Sequence, residues 1–172
     1  MALRTIRTEE DPVLRKKSRI VDKFDDRNNT LINDLRDTLI NSGGVGLAAP
    51  QVGVLRRVVV VMDTNKKDLT PEEQIIELVN PEIVKTEGKQ KGPEGCLSIP
   101  GFCGIVERPE KVTVRALDRN GNEFEVEGTG LTARAFCHEI AHLDGQLYVD
   151  IAERMMTEEE LDEYYENGGD MK

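Results

Sequence analysis

The sequence of 172 residues has few of the features that mark membrane, disulfide-rich or nucleic-acid-binding proteins. Its longest apolar run, Val58 to Met62, is far shorter than the roughly 18 apolar residues of a membrane-spanning helix. Three cysteines are an odd and low number, which indicates reduced thiols rather than a disulfide framework. Basic residues are the minority, with 23 Lys and Arg against 33 Asp and Glu and a formal net charge of -10. That balance argues against a broad nucleic-acid-binding surface, which requires clustered Lys and Arg.

The N-terminal part of the chain has no apolar segment of the kind that a signal peptide needs. Glu9, Glu10 and Asp11 also interrupt the acid-poor pattern of a transit peptide. There is no repeat and no Pro/Gly/Ser linker, and domains cluster at about 100–150 residues. We therefore expect a cytoplasmic protein in which residues 1–172 form a single domain, with an acidic helical tail from about residue 153 to 172.

The spacing of apolar residues predicts an α+β fold. Three segments have the helical pattern: Asp26 to Ser42, Leu131 to Leu143 and Thr157 to about Glu166. Five segments have the strand pattern: Arg57 to Met62, Ile75 to Val79, Glu82 to Thr86, Lys111 to Leu117 and Glu123 to Val126. Thr129 or Thr132 is the expected cap of the second helix, and Thr157 with Glu160 has the capping-box spacing of the third. We expect short, mostly antiparallel strands around the second helix.

The second helix carries an HExxH motif that contains both histidines of the chain. His138 and His142 lie one helical turn apart on the same face, so both imidazoles can reach one metal ion. Glu139 is close enough to serve as a general base without being a ligand. A chance match on a surface helix is the alternative. The apolar residues that flank the motif favour a metal site, because unpaired polar side chains are costly in a buried helix.

Two histidines do not complete a catalytic site, which typically has three protein ligands. Tyr148 stands where the extended zinc-protease pattern has its third histidine, and Cys137 points away from His142. Four downstream glutamates remain as alternatives in an acidic run: Glu153, Glu158, Glu159 and Glu160. Cys96 lies in a segment rich in glycine and proline, whereas Cys103 has no comparable surroundings. Spacing favours Cys96 over Cys103 as the third ligand but leaves both open.

The chain resembles the peptide deformylase family. Three separated segments are similar to the three motifs of that family, in the same order: Gly44 to Gln51, Glu94 to Ser98 and His138 to Gly145. The opening segment Asp11 to Arg15 is also similar, so the resemblance covers nearly the whole chain.

The resemblance implies an enzyme that removes the formyl group from the N-terminal formyl-methionine of new polypeptides. The implied metal ligands are Cys96, His138 and His142. Glu139 becomes the general acid/base, and Gln51 with the backbone N–H of Leu97 becomes the donor pair for the oxyanion. One divalent metal ion is expected, Fe(II) in the cell, although a Cys/His/His set also suits Zn, Ni or Co.

The family also implies a methionine pocket and an ion pair between Glu94 and Arg108. The implied substrate-binding residues are Gly44, Val45, Gly46, Leu131 and Ala135. The expected partners are N-formylmethionyl nascent peptides, met by a monomeric catalytic domain. Residues 153–172 carry eight acidic residues, against only Arg154 and Lys172: Glu153, Glu158, Glu159, Glu160, Asp162, Glu163, Glu166 and Asp170. We therefore expect at most weak ribosome contact, no stable nucleic-acid binding and no membrane binding.

Two positions depart from the family pattern. Cys137 stands where glutamine is usual, and Ala141 stands where aspartate is common. Both departures concern the orientation of the histidines and the tuning of the metal. Two other hypotheses compete: an HExxH endopeptidase, weakened by Tyr148, and a metal-stabilised binding module, weakened by the intact Glu139.

Overall fold

The computed structural model describes residues 2–168 and has the predicted α+β architecture. Its helices are α1 (Asp26–Ser42), α2 (Pro71–Gln74), α3 (Leu131–His142) and α4 (Glu158–Glu166). Its strands are β1 (Gly46–Ala48), β2 (Val58–Met62), β3 (Ile75–Glu87), β4 (Gln90–Cys96), β5 (Ile99–Arg108), β6 (Lys111–Leu117), β7 (Glu123–Thr129) and β8 (Arg154–Thr157). Short 3-10 turns lie at Pro12–Arg15, Ala49–Val52 and Tyr148–Asp150. Residues 169–172 of the predicted acidic tail lie outside the described residues.

The strands form two antiparallel sheets. The larger has the order β1-β2-β3-β6-β7 and the smaller has the order β4-β5-β8. The prediction of two short strands around Asn80 and Pro81 is wrong, because β3 runs through both with a register shift between Val79 and Glu82. Asn80 adopts a φ of 50°, and its side chain bonds the backbone N–H and C=O of Val21. These hydrogen bonds stabilise the register shift at Asn80, so β3 continues beyond it.

Strand β2 lies between two helical layers, which explains its continuous apolar sequence. Val59 and Val61 belong to the core cluster that includes Phe136 of α3, whereas Val58 and Val60 belong to the cluster of α1. Successive side chains of a strand point to opposite faces, so β2 is buried on both sides. This packing fixes α3 against the sheet at β1, β2 and β7.

Side chains cap helices α1 and α4, whereas α3 has a glycine at its cap position. Asp25 caps α1 by accepting from the Asn28 N–H, and Thr157 and Glu160 form the predicted capping box of α4. The prediction that Thr129 or Thr132 caps α3 is wrong, because Gly130 occupies the cap position with a φ of 59° and no side-chain bond. The Thr132 hydroxyl instead donates to Asp63 inside the protein. A tertiary contact therefore replaces the local cap.

The segment rich in glycine and proline before Cys96, which looks irregular in sequence, forms strand β4. Its lack of β-branched residues concealed the strand. Pro93 is tolerated because β4 is the edge strand of the smaller sheet, where a missing N–H costs little. The register shifts between Gly95 and Cys96, so the strand ends at the cysteine. None of the helices within residues 2–168 has the length and apolar character required to cross a membrane.

Candidate metal centre and active site

Helix α3 and the end of strand β4 bring a cysteine and two histidines together. The potential ligand atoms of Cys96, His138 and His142 all lie within 4.8 Å of one another. The Cys96 Sγ is 3.4 Å from the His142 Nε2, and the two imidazole centroids are 5.0 Å apart. One thiolate and two imidazoles are a common ligand set for Zn and other transition metals. These three residues can therefore hold one metal ion.

The other candidates for the third ligand lie elsewhere. Cys103 packs in a separate cluster with Ile105 and Met156. Tyr148, which stands at the third-histidine position of the zinc-protease pattern, stacks on the ring of His138 with the centroids 5.9 Å apart. Glu153 pairs with Lys91 on the surface at 2.9 Å. In the described part of the chain, only Cys96 joins the two histidines in a group of three potential ligands.

His138 is oriented by the buried carboxylate of Glu94, whose Oε2 is 2.7 Å from the His138 Nδ1. Since Nδ1 is engaged, Nε2 is the nitrogen left for a metal. The predicted pair with Arg108 is present, with Nε and Nη2 of its guanidinium group donating to Glu94 at 3.0 and 2.6 Å. Arg134 adds a third contact at 3.0 Å. Burial raises the pKa of Glu94, but the hydrogen bonds from His138 and Arg108 outweigh it and lower the pKa to about 2.

Two buried polar atoms beside the ligands lack hydrogen-bond partners among residues 2–168, namely Glu139 Oε1 and His142 Nδ1. Such orphaned atoms are rare unless a site binds something further. Burial lowers the pKa of His142 to about 3, which keeps its ring neutral as a metal ligand must be. The donor set, its spacing and the unpaired Glu139 oxygen all fit a divalent cation.

Glu139 is buried in the wall of a cavity. Burial raises the pKa of its carboxyl to about 7. The cavity has a volume of about 390 Å³, and ten of the predicted site residues line it. These are Gly44, Val45, Gly46, Gln51, Cys96, Leu97, Leu131, Ala135, His138 and Glu139. The cavity therefore joins all three sequence motifs.

The side chain of Gln51 is held with its donor end toward the cysteine. Its Oε1 accepts from the Ala48 N–H at 2.9 Å, and its Nε2 donates to the Ser98 Oγ at 3.1 Å. The same Nε2 lies 3.6 Å from the Cys96 Sγ. The amide is thus fixed in one orientation beside the potential ligands.

The N-terminal segment connects the two loops that flank the cysteine. The Arg7 N–H donates to the Gln51 carbonyl at 2.7 Å, and the Glu9 N–H donates to the Ser98 carbonyl at 3.0 Å. The sequence does not predict this bridge, because hydrogen bonds between backbone groups do not depend on particular side chains. Sequence reasoning also missed Arg134, although the position four residues before His138 on one helix face is a usable signal.

The fold and the site define a class of protein: a metal-dependent hydrolase with an HExxH helix. The sequence model of the family described as "Polypeptide deformylase" matches residues 3–158. A peptide deformylase from Caldicellulosiruptor bescii is 54% identical over 171 residues, covering 99% of this chain and 98% of that protein. A peptide deformylase crystal structure from Legionella pneumophila has a TM-score of 0.80 at 41% identity, covering 99% of this chain and 100% of the other. The chain belongs to the peptide deformylase family of enzymes.

A second solved structure supports the same fold. The peptide deformylase from Thermotoga maritima has a TM-score of 0.81 at 35% identity, covering 90% of this chain and 100% of the other. The family assignment leaves no place for the endopeptidase and binding-module hypotheses. The deformylase resemblance of the three motifs is therefore confirmed.

Proposed function

We propose that the enzyme removes the formyl group from the N-terminal formyl-methionine of newly made polypeptides and releases formate. Cys96, His138 and His142 hold one divalent metal ion in this proposal, and Glu139 is the general acid/base. The observation that carries it is the convergence of three ligand atoms within 4.8 Å at a cavity that also encloses Glu139. When bound, the cation supplies a Lewis acid that lowers the pKa of a water and polarises the scissile carbonyl.

Glu139 moves the proton. Its carboxylate accepts a proton from the attacking water and later donates one to the departing methionine nitrogen. Burial raises the pKa of this carboxyl in the metal-free protein, which favours the protonated form that donates in the second transfer. The burial that raises this pKa also excludes bulk water from the reacting atoms.

Gln51 and Leu97 stabilise the charge that develops on the formyl oxygen. The Gln51 Nε2 and the Leu97 N–H act as hydrogen-bond donors to the oxyanion. Each such donor is typically worth about 3–4 kcal/mol in the transition state. Support for Gln51 comes from its orientation, since Ala48 and Ser98 hold the amide with Nε2 facing Cys96. Ser98 accepts one of the two Nε2 hydrogens, and the other, on the side of Cys96, is the one that would reach the oxyanion.

The cavity holds the methionine side chain and the first peptide units. The apolar part of the wall is formed by Val45, Leu131 and Ala135. Ala135 is buried, and Leu131 is half-exposed. Strand β1 is the edge of the larger sheet, so the backbone at Gly46 and at the preceding Gly44 is positioned to pair with an extended peptide. Specificity then comes from the apolar side-chain pocket and from the short formyl group.

The metal in the cell is Fe(II) in this proposal, with Zn, Ni and Co as ions that the same ligands accept. An iron–thiolate site is sensitive to oxidation, so the enzyme requires anaerobic handling. We further propose that the chain acts as a monomer with a single catalytic domain. It meets nascent chains by diffusion or weak ribosome contact, because the region around α4 is acidic and repels RNA.

The test is product analysis with anaerobically prepared, metal-loaded protein. A formyl-methionyl peptide is the substrate, and the matched control is the same peptide with an acetyl group in place of formyl. We expect stoichiometric formate from the first peptide, little hydrolysis of the second and no cleavage of internal bonds. Internal fragments without formate would instead identify an endopeptidase.

A further inference from the structure

A second cavity lies away from the catalytic one, where the N-terminal segment passes over the start of α1. Its volume is about 690 Å³, within the range of small-molecule sites. Its wall is made of two stretches of chain and the first turn of α1: Arg19, Ile20, Val21, Asp22, Lys23, Asp25, Arg27, Gly53, Val54, Leu55 and Arg56. We call it the arginine groove. It shares no lining residue with the catalytic cavity.

Four basic side chains line the arginine groove without an acidic partner. Arg19, Lys23, Arg27 and Arg56 form no ion pair with any residue in the described range 2–168. Two carboxylates also line the groove, Asp22 and Asp25, and Asp25 accepts a hydrogen bond from the Asn28 N–H at 3.1 Å. The four cations therefore exceed the two carboxylates by two.

The backbone holds two of these arginines beside each other. Arg19 and Arg56 are direct partners in a parallel bridge, supported by Arg19 N–H to Leu55 C=O and Arg57 N–H to Arg19 C=O at 3.0 and 2.9 Å. Like charges directly opposite each other on paired strands repel and are destabilising. The chain has ten more acidic than basic residues, 33 against 23, so acidic partners are abundant elsewhere. The four cations are thus a local excess of positive charge in an acidic chain, and three of them, Arg19, Lys23 and Arg27, are exposed and accessible to an anion in solution.

We propose that the arginine groove binds a compact anion with two or more linked phosphate groups. Guanidinium groups bind phosphate oxygens in pairs of parallel hydrogen bonds, which suits Arg19 and Arg56 in adjacent positions. The ligand is compact because the acidic surface of the chain repels a long polyanion that extends beyond the groove. A free oligophosphate and the phosphate chain of a nucleotide share this chemistry. The site is independent of the hydrolytic reaction proposed above.

The test is a binding titration of the metal-loaded protein with sodium tripolyphosphate, followed by calorimetry. We expect saturable binding of one anion per chain, weakened about tenfold by Arg56→Gln and again by adding Arg19→Gln. Arg115→Gln is the matched control, because Arg115 is on strand β6 and pairs with Glu125 outside the groove. It should bind as the unchanged protein does. Equal affinity in all variants would overturn the proposal.

Further arms identify the source of the phosphate and exclude artefacts. ATP that competes with tripolyphosphate indicates a nucleotide site, and ATP that does not compete indicates a free oligophosphate; either result supports a compact ligand. Binding of a short RNA without binding of tripolyphosphate contradicts it. Equal displacement by sulfate at the same ionic strength also contradicts it, since this would be charge screening alone. The metal content of each sample is measured, because loss of metal to the anion would not depend on Arg19 or Arg56.

Discussion

The carboxylate of Glu139 lies directly against the main chain of Gly46. A Cβ at position 46 would come within 2.6 Å of the Glu139 Oε2 and 2.7 Å of its Cγ, distances that real Cβ contacts do not reach. Glycine is therefore required where strand β1 passes the buried end of α3, irrespective of backbone conformation. This close approach holds the proposed general base beside the edge strand that is proposed to bind the peptide.

Replacing Gly46 with alanine should displace the Glu139 carboxylate while the metal ligands remain in place. A shift of about 1 Å in a reacting group can cost roughly 100-fold in rate, so we expect a fall of that order in kcat/KM. Metal content should be unchanged. The matched control is Gly92→Ala, since a Cβ there meets nothing closer than 3.8 Å. Equal activity in the two variants would refute this role for Gly46.

Glu94→Gln should destabilise the protein more than an exposed carboxylate would. The substitution removes the charge that compensates the buried Arg108 and Arg134. Removing one partner of a buried ion pair typically costs about 3–5 kcal/mol. Denaturant unfolding measures the loss. Glu125→Gln is the control, because Glu125 and Arg115 form an exposed pair worth about 1 kcal/mol or less; similar losses in both variants would contradict the role of Glu94.

The same carboxylate makes the stability of the metal-free protein depend on acid pH. The pKa of Glu94 is about 2 in the folded protein against 4.5 ordinarily, so its contribution is present above pH 4.5 and is lost as the pH falls toward 2. The full shift corresponds to about 3 kcal/mol. We expect the unfolding free energy to fall more steeply in this window than it does for Glu94→Gln. Parallel pH profiles for the two proteins would exclude this linkage.

Gly145→Ala should destabilise the fold through a backbone collision. Gly145 has a φ of 73°, and a Cβ there would lie 2.5 Å from the Arg15 carbonyl oxygen. Gly43→Ala is the control that measures only the cost of the left-handed backbone conformation. Gly43 has a φ of 74°, and a Cβ there would have no neighbour within 4 Å. The left-handed conformation alone costs about 1–2 kcal/mol. We expect Gly145→Ala to lose more unfolding free energy than Gly43→Ala. An equal loss in the two variants would show that the backbone at Arg15 moves to relieve the collision.

Local signals were enough to predict helix α1 and helix α3, which carries Glu139 and both histidines. Leu31, Leu35 and Leu39 recur every four residues along α1, and Gly43 follows its last residue. The HExxH pattern places both histidines on α3. The choice of Cys96 over Cys103 came from spacing and from family resemblance, and the two cysteines prove to lie in different core clusters.

Long-range contacts account for what the sequence did not reveal. Strands β4 and β8 have little β propensity and form because β5 pairs with both. The cap of α3 was mispredicted because Thr132 bonds Asp63, which is distant in sequence. Arg134 could have been found by helix spacing, but its contact with Glu94 depends on how β4 meets α3. Propensity and periodicity describe neighbours along the chain and carry no information on such pairings.

We propose that Cys96, His138 and His142 bind the metal and that Glu139 moves the proton. The most direct test measures bound metal and formate release in two variants, Glu139→Ala and Cys96→Ala, prepared anaerobically with the unchanged enzyme as reference. We predict that Glu139→Ala keeps one metal ion per chain and loses formate release, whereas Cys96→Ala loses the metal. Loss of metal in Glu139→Ala with retention in Cys96→Ala would contradict the account.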